Sequence, residues 1–525
     1  MSEIANIEDR LTALEEQAQG LAEGLANAAD LDTAWILWCG ILVFFMQVGF
    51  SMLEVGSVSP KNTKAVLIKN MTDAALGAIC WWAVGHGFAY GTDVGGFIGT
   101  DSFAFSSHGS NVSSEQGIEL SQWFFQWAFA ATAATVVSGA VAERITIVAY
   151  VQLSVFITFF VYPVVAHWAW SEGGWASPYR CSDSTTAAEY QLCREEARGL
   201  VLGCGVTDFA GAGVVHMTGG MCALVAAKVV GPRTNAFRNG IPNRMPQQSP
   251  ALQTLGALIL WVSWYGFNGG SVGSVSNGRS SLVAAAMTNT TIAAASSVLS
   301  VCIWVKILLK KFESRHINNG ILAGLVAISA SGSLVQPEGA FVIGVVASAF
   351  YMLGVEGLKR LKIDDVVHAS AVHLMCGMWG LISVGLLCTK SRYQDVYSYG
   401  IFSDPAREEG CCGLLYGCGG KILAANAIFI LSLSGWVAAL SFAALKVIDH
   451  CVGLRVSQRV EEIGMDKSRH PNSNRSSVAL GRALRSASRK DDRFSAVSSH
   501  RPSFKSSQAG SPRIRAPPTL SHWKD

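Results

Sequence analysis

Charge is scarce in this chain. Only 15% of its 525 residues are Asp, Glu, Lys or Arg, while 50% are hydrophobic. So few charges cannot clothe a soluble protein of this length, because long apolar runs would be left facing water. No basic stretch leads into a short apolar core near the N-terminus, so a cleaved signal peptide is not expected. Nucleotide-binding motifs are missing too, which argues against ATP-driven transport, and no enzyme activity is expected. No cofactor, metal or nucleic acid is implied.

What the chain does have is long apolar segments, at about 33–56, 64–90, 120–142, 146–170, 199–229, 251–270, 281–310, 318–332, 336–358, 366–390 and 421–449. Most can cross a hydrocarbon core of ~30 Å; the segment at 318–332 is short and rich in glycine. The expected fold is an all-α membrane protein of eleven transmembrane helices. An inverted five-helix repeat would be followed by an eleventh helix outside it. Residues 1–32 read as an acidic heptad-like segment, 33–449 as the membrane domain, and 450–470 as a regulatory segment. The rest, 471–525, reads as a disordered basic, Ser-rich tail.

Lys61, Lys64, Arg144, Arg233, Arg238, Arg244, Lys310, Lys311, Arg315, Lys359, Arg360 and Lys362 fall in one set of loops. By the positive-inside rule these are cytoplasmic, which leaves the N-terminus outside and the C-terminus inside. Asn111-Val-Ser113 is then an outer glycosylation sequon. Cys181 and Cys193 share an outer loop and are a candidate disulfide on the oxidising side. Cys411, Cys412 and Cys418 share the last outer loop, and their pairing is open.

Two segments carry an unusual pair. Asp208 and His216 stand eight residues apart in apolar sequence, and Asp365 and His373 repeat the spacing. At helical pitch this is about two turns, roughly 12 Å, with each imidazole near mid-depth. Ionisable groups at that depth mark paths for ions or protons. Gly211, Gly213, Gly219, Gly220 and Gly377 permit close helix approach, so the two imidazoles are expected to meet across a narrow lumen. His86 and His167 read as hydrogen-bonded packing groups, and Glu54 as facing a subunit contact or the inner rim. Phe129 and Phe267 lie deep enough to form a constriction.

Further motifs accompany this pair: Phe45-Met-Gln-Val-Gly-Phe-Ser-Met-Leu-Glu-Val-Gly-Ser-Val58, Lys61-Asn62-Thr63, Asp208 to Gly220, and Trp264-Tyr-Gly-Phe-Asn-Gly-Gly-Ser271. Together they resemble the ammonium transporter family, which includes methylammonium permeases and Rhesus glycoproteins, and lean to its plant-type branch. The resemblance runs from about Trp35 to His470. It implies a plasma-membrane homotrimer with one pore per subunit, open to mixed trimers with relatives. It assigns cation recruitment to Trp170, Ser271 and Phe129, supported by Asp208, and a gate to Phe125, Phe129 and Phe267. His216 and His373 would be a twin-histidine proton relay carrying ammonium or methylammonium as ammonia plus a proton.

Two departures stand out. The family commonly has an acid five residues before the second histidine, whereas this chain has His368, near Asp365 at the expected inner exit. In the tail, Val460 to His470 resembles a regulatory segment that docks on a neighbouring subunit's inner face. Gly464 belongs to it, and Ser468 stands where the family has a phosphorylated threonine, the target of a cytoplasmic kinase. Three rival readings are an ammonium sensor with little flux, an electroneutral Rhesus-like gas channel, and a haem protein with two histidine ligands.

Overall fold

A helix in hydrocarbon must satisfy its backbone internally and bury its few polar groups against its neighbours. The computed structural model describes residues 2–105, 114–180, 200–397 and 410–469. Within them eleven helices of 15 residues or more follow in order, each corresponding to one apolar segment. They are α1 (Ser2–Ser57), α2 (63–90), α3 (Ser114–Ala140), α4 (Ile147–Trp170), α5 (Ala212–Val230) and α6 (Pro250–Gly270). The rest are α7 (Ser280–Leu309), α8 (Ser314–Ile328), α9 (Pro337–Arg360), α10 (Ser370–Leu387) and α11 (Lys421–Val452).

Seven of them, α1, α4, α5, α7, α9, α10 and α11, are long and apolar enough to cross a membrane. The chain is therefore a multi-pass membrane protein. The other four fall short for visible reasons. Helix α8 has only 15 residues, and α2 opens with Lys64, Lys69 and Asp73. Helices α3 and α6 interleave Trp, Gln, Ser and Gly with their apolar residues. The acidic N-terminal segment runs unbroken into the first apolar helix, and its heptad residue Leu14 is 60% exposed.

Helix α1 lies along α3 and α6, α7 packs on α8 and α9, and α5 sits among α3, α10 and α11. Two short hairpins decorate the connections, Asp93–Val94 with Ile98–Gly99 and Phe237–Arg238 with Ile241–Pro242. His167 braces the first: its ring nitrogens lie 2.9 Å from Ala89 O and 2.8 Å from Asp93 Oδ1. It is a packing group, as the sequence suggests.

Four helices are interrupted by a π-helical turn, at Trp81–Gly85, Ile157–Val161, Ala212–Met217 and Ser370–Met375. Such turns are rare and concentrate at functional positions. The last two contain His216 and His373.

Disulfides join Cys204 to Cys411 and Cys412 to Cys418. Pairing in the last loop is thereby resolved, with a partner from residues expected to lie in a helix. At the opposite end Arg233 is clasped by Asp364 (2.8 and 2.9 Å) and by Glu143. Burial disfavours the Asp364 anion, but the Arg233 guanidinium beside it outweighs burial and holds this carboxyl well below the usual carboxylate range.

Candidate functional site

The two Asp–His segments are not continuous helices, contrary to the two-turn reading. Gly211 takes a left-handed backbone (φ 102°), and α5 starts only after it. Asp208 lies outside the helix and caps it, accepting from Gly211 N (3.2 Å), Gly213 N (2.9 Å) and Val214 N (2.8 Å). Asp365 does the same for α10, accepting from Ala369 N (3.0 Å) and Ser370 N (2.7 Å). The first N–H groups of a helix have no partner within it, and a buried helix start must find acceptors elsewhere. The repeated aspartates supply them.

The caps aim both helices so that their histidines meet. His216 Nδ1 and His373 Nδ1 are 3.2 Å apart, with ring centroids 5.2 Å apart. Glycine makes the approach possible. A Cβ on Gly220 would sit 2.3 Å from Leu374 N, and one on Gly377 would sit 2.4 Å from Ala212 O. Both imidazoles are buried, and His216 Nε2 has no hydrogen-bond partner among the described residues. Direct contact between the rings leaves no place for an iron between them, which removes the bis-histidine haem reading.

Aromatic rings continue the column on the side of Trp170. Phe129 and Phe267 stack at 4.1 Å with planes 13° apart, and Phe125 lies 4.6 Å from Phe129. Trp170 meets Phe129 edge-on at 6.0 Å and donates to Asp208 O at 2.9 Å. Ser271 donates to Phe267 O at 2.8 Å. Below the stacked pair, His216 lies against Phe267 (5.2 Å) and Trp264 (5.0 Å, planes 21° apart). Trp264, fixed by its Nε1 bond to Ser329 Oγ at 2.9 Å, was not singled out as a site residue. It belongs to a quoted motif, but only the fold shows that it forms a wall of the histidine.

The chemistry of such a column is constrained. A desolvated cation gains about 2 kcal/mol from an aromatic face, while burying an isolated ion costs tens of kcal/mol. A cation can be held where Trp170 stands, but a species continuing past the stacked rings must be neutral or part with its charge.

Beyond His373 lies a narrow cavity lined by Phe50, Glu54, Thr135, Val367 and His373 itself. Glu54, expected at a subunit contact or the rim, instead faces the interior beside the histidine. Further along, His368 adopts a left-handed conformation (φ 61°), with its Nδ1 3.2 Å from Tyr351 OH; that hydroxyl is 2.9 Å from His316 Nδ1. A cavity of ≈ 320 Å³ opens there, lined by Arg244, Lys311, Arg315 and Lys359 besides the paired Arg233.

The tail segment lies on this chain's own end. Asp466 accepts from Ala65 N (2.9 Å) and Lys64 N (3.1 Å), capping α2 from 401 and 402 residues away in sequence. Gly464 turns with φ 102°, and a Cβ there would come within 2.7 Å of Lys61 O. Ser468 is exposed, its hydroxyl donating to Met465 O at 3.2 Å. Asn111, Cys181 and Cys193 lie outside the described residues.

Known proteins resemble this chain in sequence and fold. Residues 34–475 match the Ammonium Transporter Family. Ammonium transporter 1 member 1 of Arabidopsis thaliana is 37% identical over 429 residues, 80% of each chain. Ammonium transporter Amt2 of Archaeoglobus fulgidus is 36% identical over 452 residues, 86% of this chain and 89% of that one. Among solved structures, a Sensor Amt Protein superposes with a TM-score of 0.70 at 31% identity, covering 84% of this chain and 98% of that one. Mep2 of Saccharomyces cerevisiae gives 0.67 at 25% identity, covering 81% and 89%. Motif, fold and relatives agree: the chain belongs to the ammonium transporter family.

Proposed function

We propose that this protein takes up ammonium, holding it at Trp170, Ser271 and Phe129 with Asp208 bracing Trp170. Ammonia then passes the Phe125–Phe129–Phe267 gate and moves along His216 and His373 while those imidazoles relay the proton. The observation that carries this reading is the 3.2 Å contact between two buried imidazoles directly beneath a stacked phenylalanine pair. Imidazole both donates and accepts protons. A potassium ion has no proton to give up, so the same column rejects it. Transport is then electrogenic and suited to dilute ammonium.

In this reading all eleven helices span the plasma membrane as an inverted repeat plus one, in a homotrimer with a pore in each subunit. The end bearing Cys204–Cys411 faces outward and the tail lies in the cytoplasm, where phosphate on Ser468 would add negative charge beside Asp466 and loosen the docked segment. A second reading, an ammonium sensor, draws on the solved relative whose title is Sensor Amt Protein.

Voltage-clamp recording in cells expressing the chain separates these readings. The expected result is a saturable inward current with ammonium and methylammonium but not potassium, lost in His216→Ala. Labelled methylammonium uptake without current would replace this reading with neutral ammonia conduction. Neither current nor uptake in protein at the surface would leave the sensor.

A further inference from the structure

Between α1, α2, α3 and α4 lies a group of ionisable side chains that the column above does not use. Glu54 (2% exposed), Lys69 (4%) and Asp73 (2%) are all buried. Lys69 Nζ donates to Ser138 O at 2.7 Å and lies 3.9 Å from Glu54 Oε2. Asp73 accepts from Tyr150 OH at 2.9 Å and from Ser154 Oγ, and Thr135 Oγ1 is 2.8 Å away. Glu54 accepts from one hydroxyl, Ser138 Oγ at 2.7 Å, and the Asn70 side chain also bonds it.

Two carboxyls and one ammonium do not cancel. Fully ionised, the cluster would carry a net negative charge, which apolar surroundings oppose. Its neutral state keeps one proton. Hydrogen bonds to a carboxylate favour the charged form, and Asp73 has three hydroxyls around it. Glu54 is therefore the group left to hold the proton. Glu54 and Thr135 also line the narrow cavity that reaches His373. The titratable and charged groups around Glu54 are Lys69 and Asp73 from α2, Tyr150 from α4 and His373 from α10, and the buried Arg144 that follows α3 acts on Lys69.

We propose that Glu54 is a proton-transfer group of the transport path, branching from the lumen at His373. The carboxyl O–H bond breaks as Glu54 passes its proton to a water molecule of the inner solution, forming a new O–H bond on that water and leaving a carboxylate steadied by Lys69. That carboxylate then takes a proton from the imidazolium of His373, whose N–H bond breaks with the electron pair staying on nitrogen. Each cycle returns the cluster to its starting charge, and ammonia leaves by the lumen. The inference rests on the proton-coupled reading of transport given above.

The test is the charge moved per labelled methylammonium, recorded in the same cells for wild type, Glu54→Gln and Glu54→Asp. Wild type is expected to move one charge per methylammonium. Glu54→Gln should keep measurable uptake while its charge ratio falls by about a hundredfold, the low end of what a positioned acid–base group contributes. Glu54→Asp should restore part of the ratio. An unchanged ratio in Glu54→Gln overturns the relay alone. Wild-type uptake without current overturns proton coupling and the relay with it. If Glu54→Gln fails to reach the surface, Ser138→Ala decides, since it removes the one hydroxyl that Glu54 holds. A lowered ratio there supports the relay, and an unchanged one overturns it.

Discussion

The two histidine helices follow one plan in contrasting surroundings. Each begins beside a capping aspartate, opens with a π-helical turn and places its histidine within that turn. The Asp208 end is bounded by the rings of Trp170, Phe129 and Phe267, which attract a cation without supplying a counter-charge. The Asp365 end gives onto Arg244, Lys311, Arg315 and Lys359, with His368 among them. Shared backbone geometry sets where the imidazoles meet. The unshared surroundings set which side favours a cation, so direction is written in side chains and position in the caps.

The largest way to break this comparison is to remove the caps one at a time. Asp208→Ala strands three N–H groups and Asp365→Ala strands two. At ~1–3 kcal/mol for each buried group left unpaired, the first should cost more stability and abolish methylammonium uptake, the second only reduce it. Equal losses in thermal melts of the purified variants would sink the idea that cap strength differs between the halves.

Arg233→Ala comes next, because removing one partner of a buried ion pair costs about 3–5 kcal/mol. This loss should appear as a lower melting temperature. Its pH dependence follows from Asp364, whose folded carboxyl is held low. The stabilisation is fully present above the ordinary carboxylate value near ~4 and is lost as pH falls through the lower folded one. Without Arg233 the acid-unfolding midpoint should move to higher pH, and an unmoved midpoint would show that the clasp contributes nothing.

His368→Asp sharpens the electrostatic half of the comparison. One charge at the inner mouth is worth ~1 kcal/mol in hydrated surroundings, about fivefold in rate. An acid there attracts ammonium from inside, so efflux from preloaded vesicles should rise relative to influx. Identical ratios would mean that charge at this mouth does not set direction. The smallest effect expected is that of Asp466→Ala, which removes one borrowed cap worth ~1 kcal/mol. Faster proteolysis of the tail, with the melting of the helical bundle unchanged, is the anticipated result.

Hydropathy located the helices well because burying apolar length is what it measures. It placed two starts too early, at 199 and 366: residues 204–211 are buried without being helical, and the second helix begins only at Ser370. At the first, the left-handed Gly211 and the acceptor Asp208 decide the boundary, and neither leaves a mark in a hydrophobicity count. The meeting of His216 with His373 was legible from repeated spacing and from Gly220 and Gly377. The position of Glu54 was not, because its rotation about α1 depends on what α2 and α3 bring to it. Nor could spacing join Cys204 to Cys411, separated by 207 positions.

The π-helical turns at Ala212–Met217 and Ser370–Met375 also set a register. Each holds a surplus residue that an α-helix would not accommodate, and helical residues are spaced by ~100°. Shortening either turn by one residue would let it relax to α and swing everything on one side of the deletion through that angle. One imidazole would then point into a neighbouring helix with every side chain around the column still present. Spacing alone would thus part the two imidazoles, a kind of lesion that a count of intact residues would overlook.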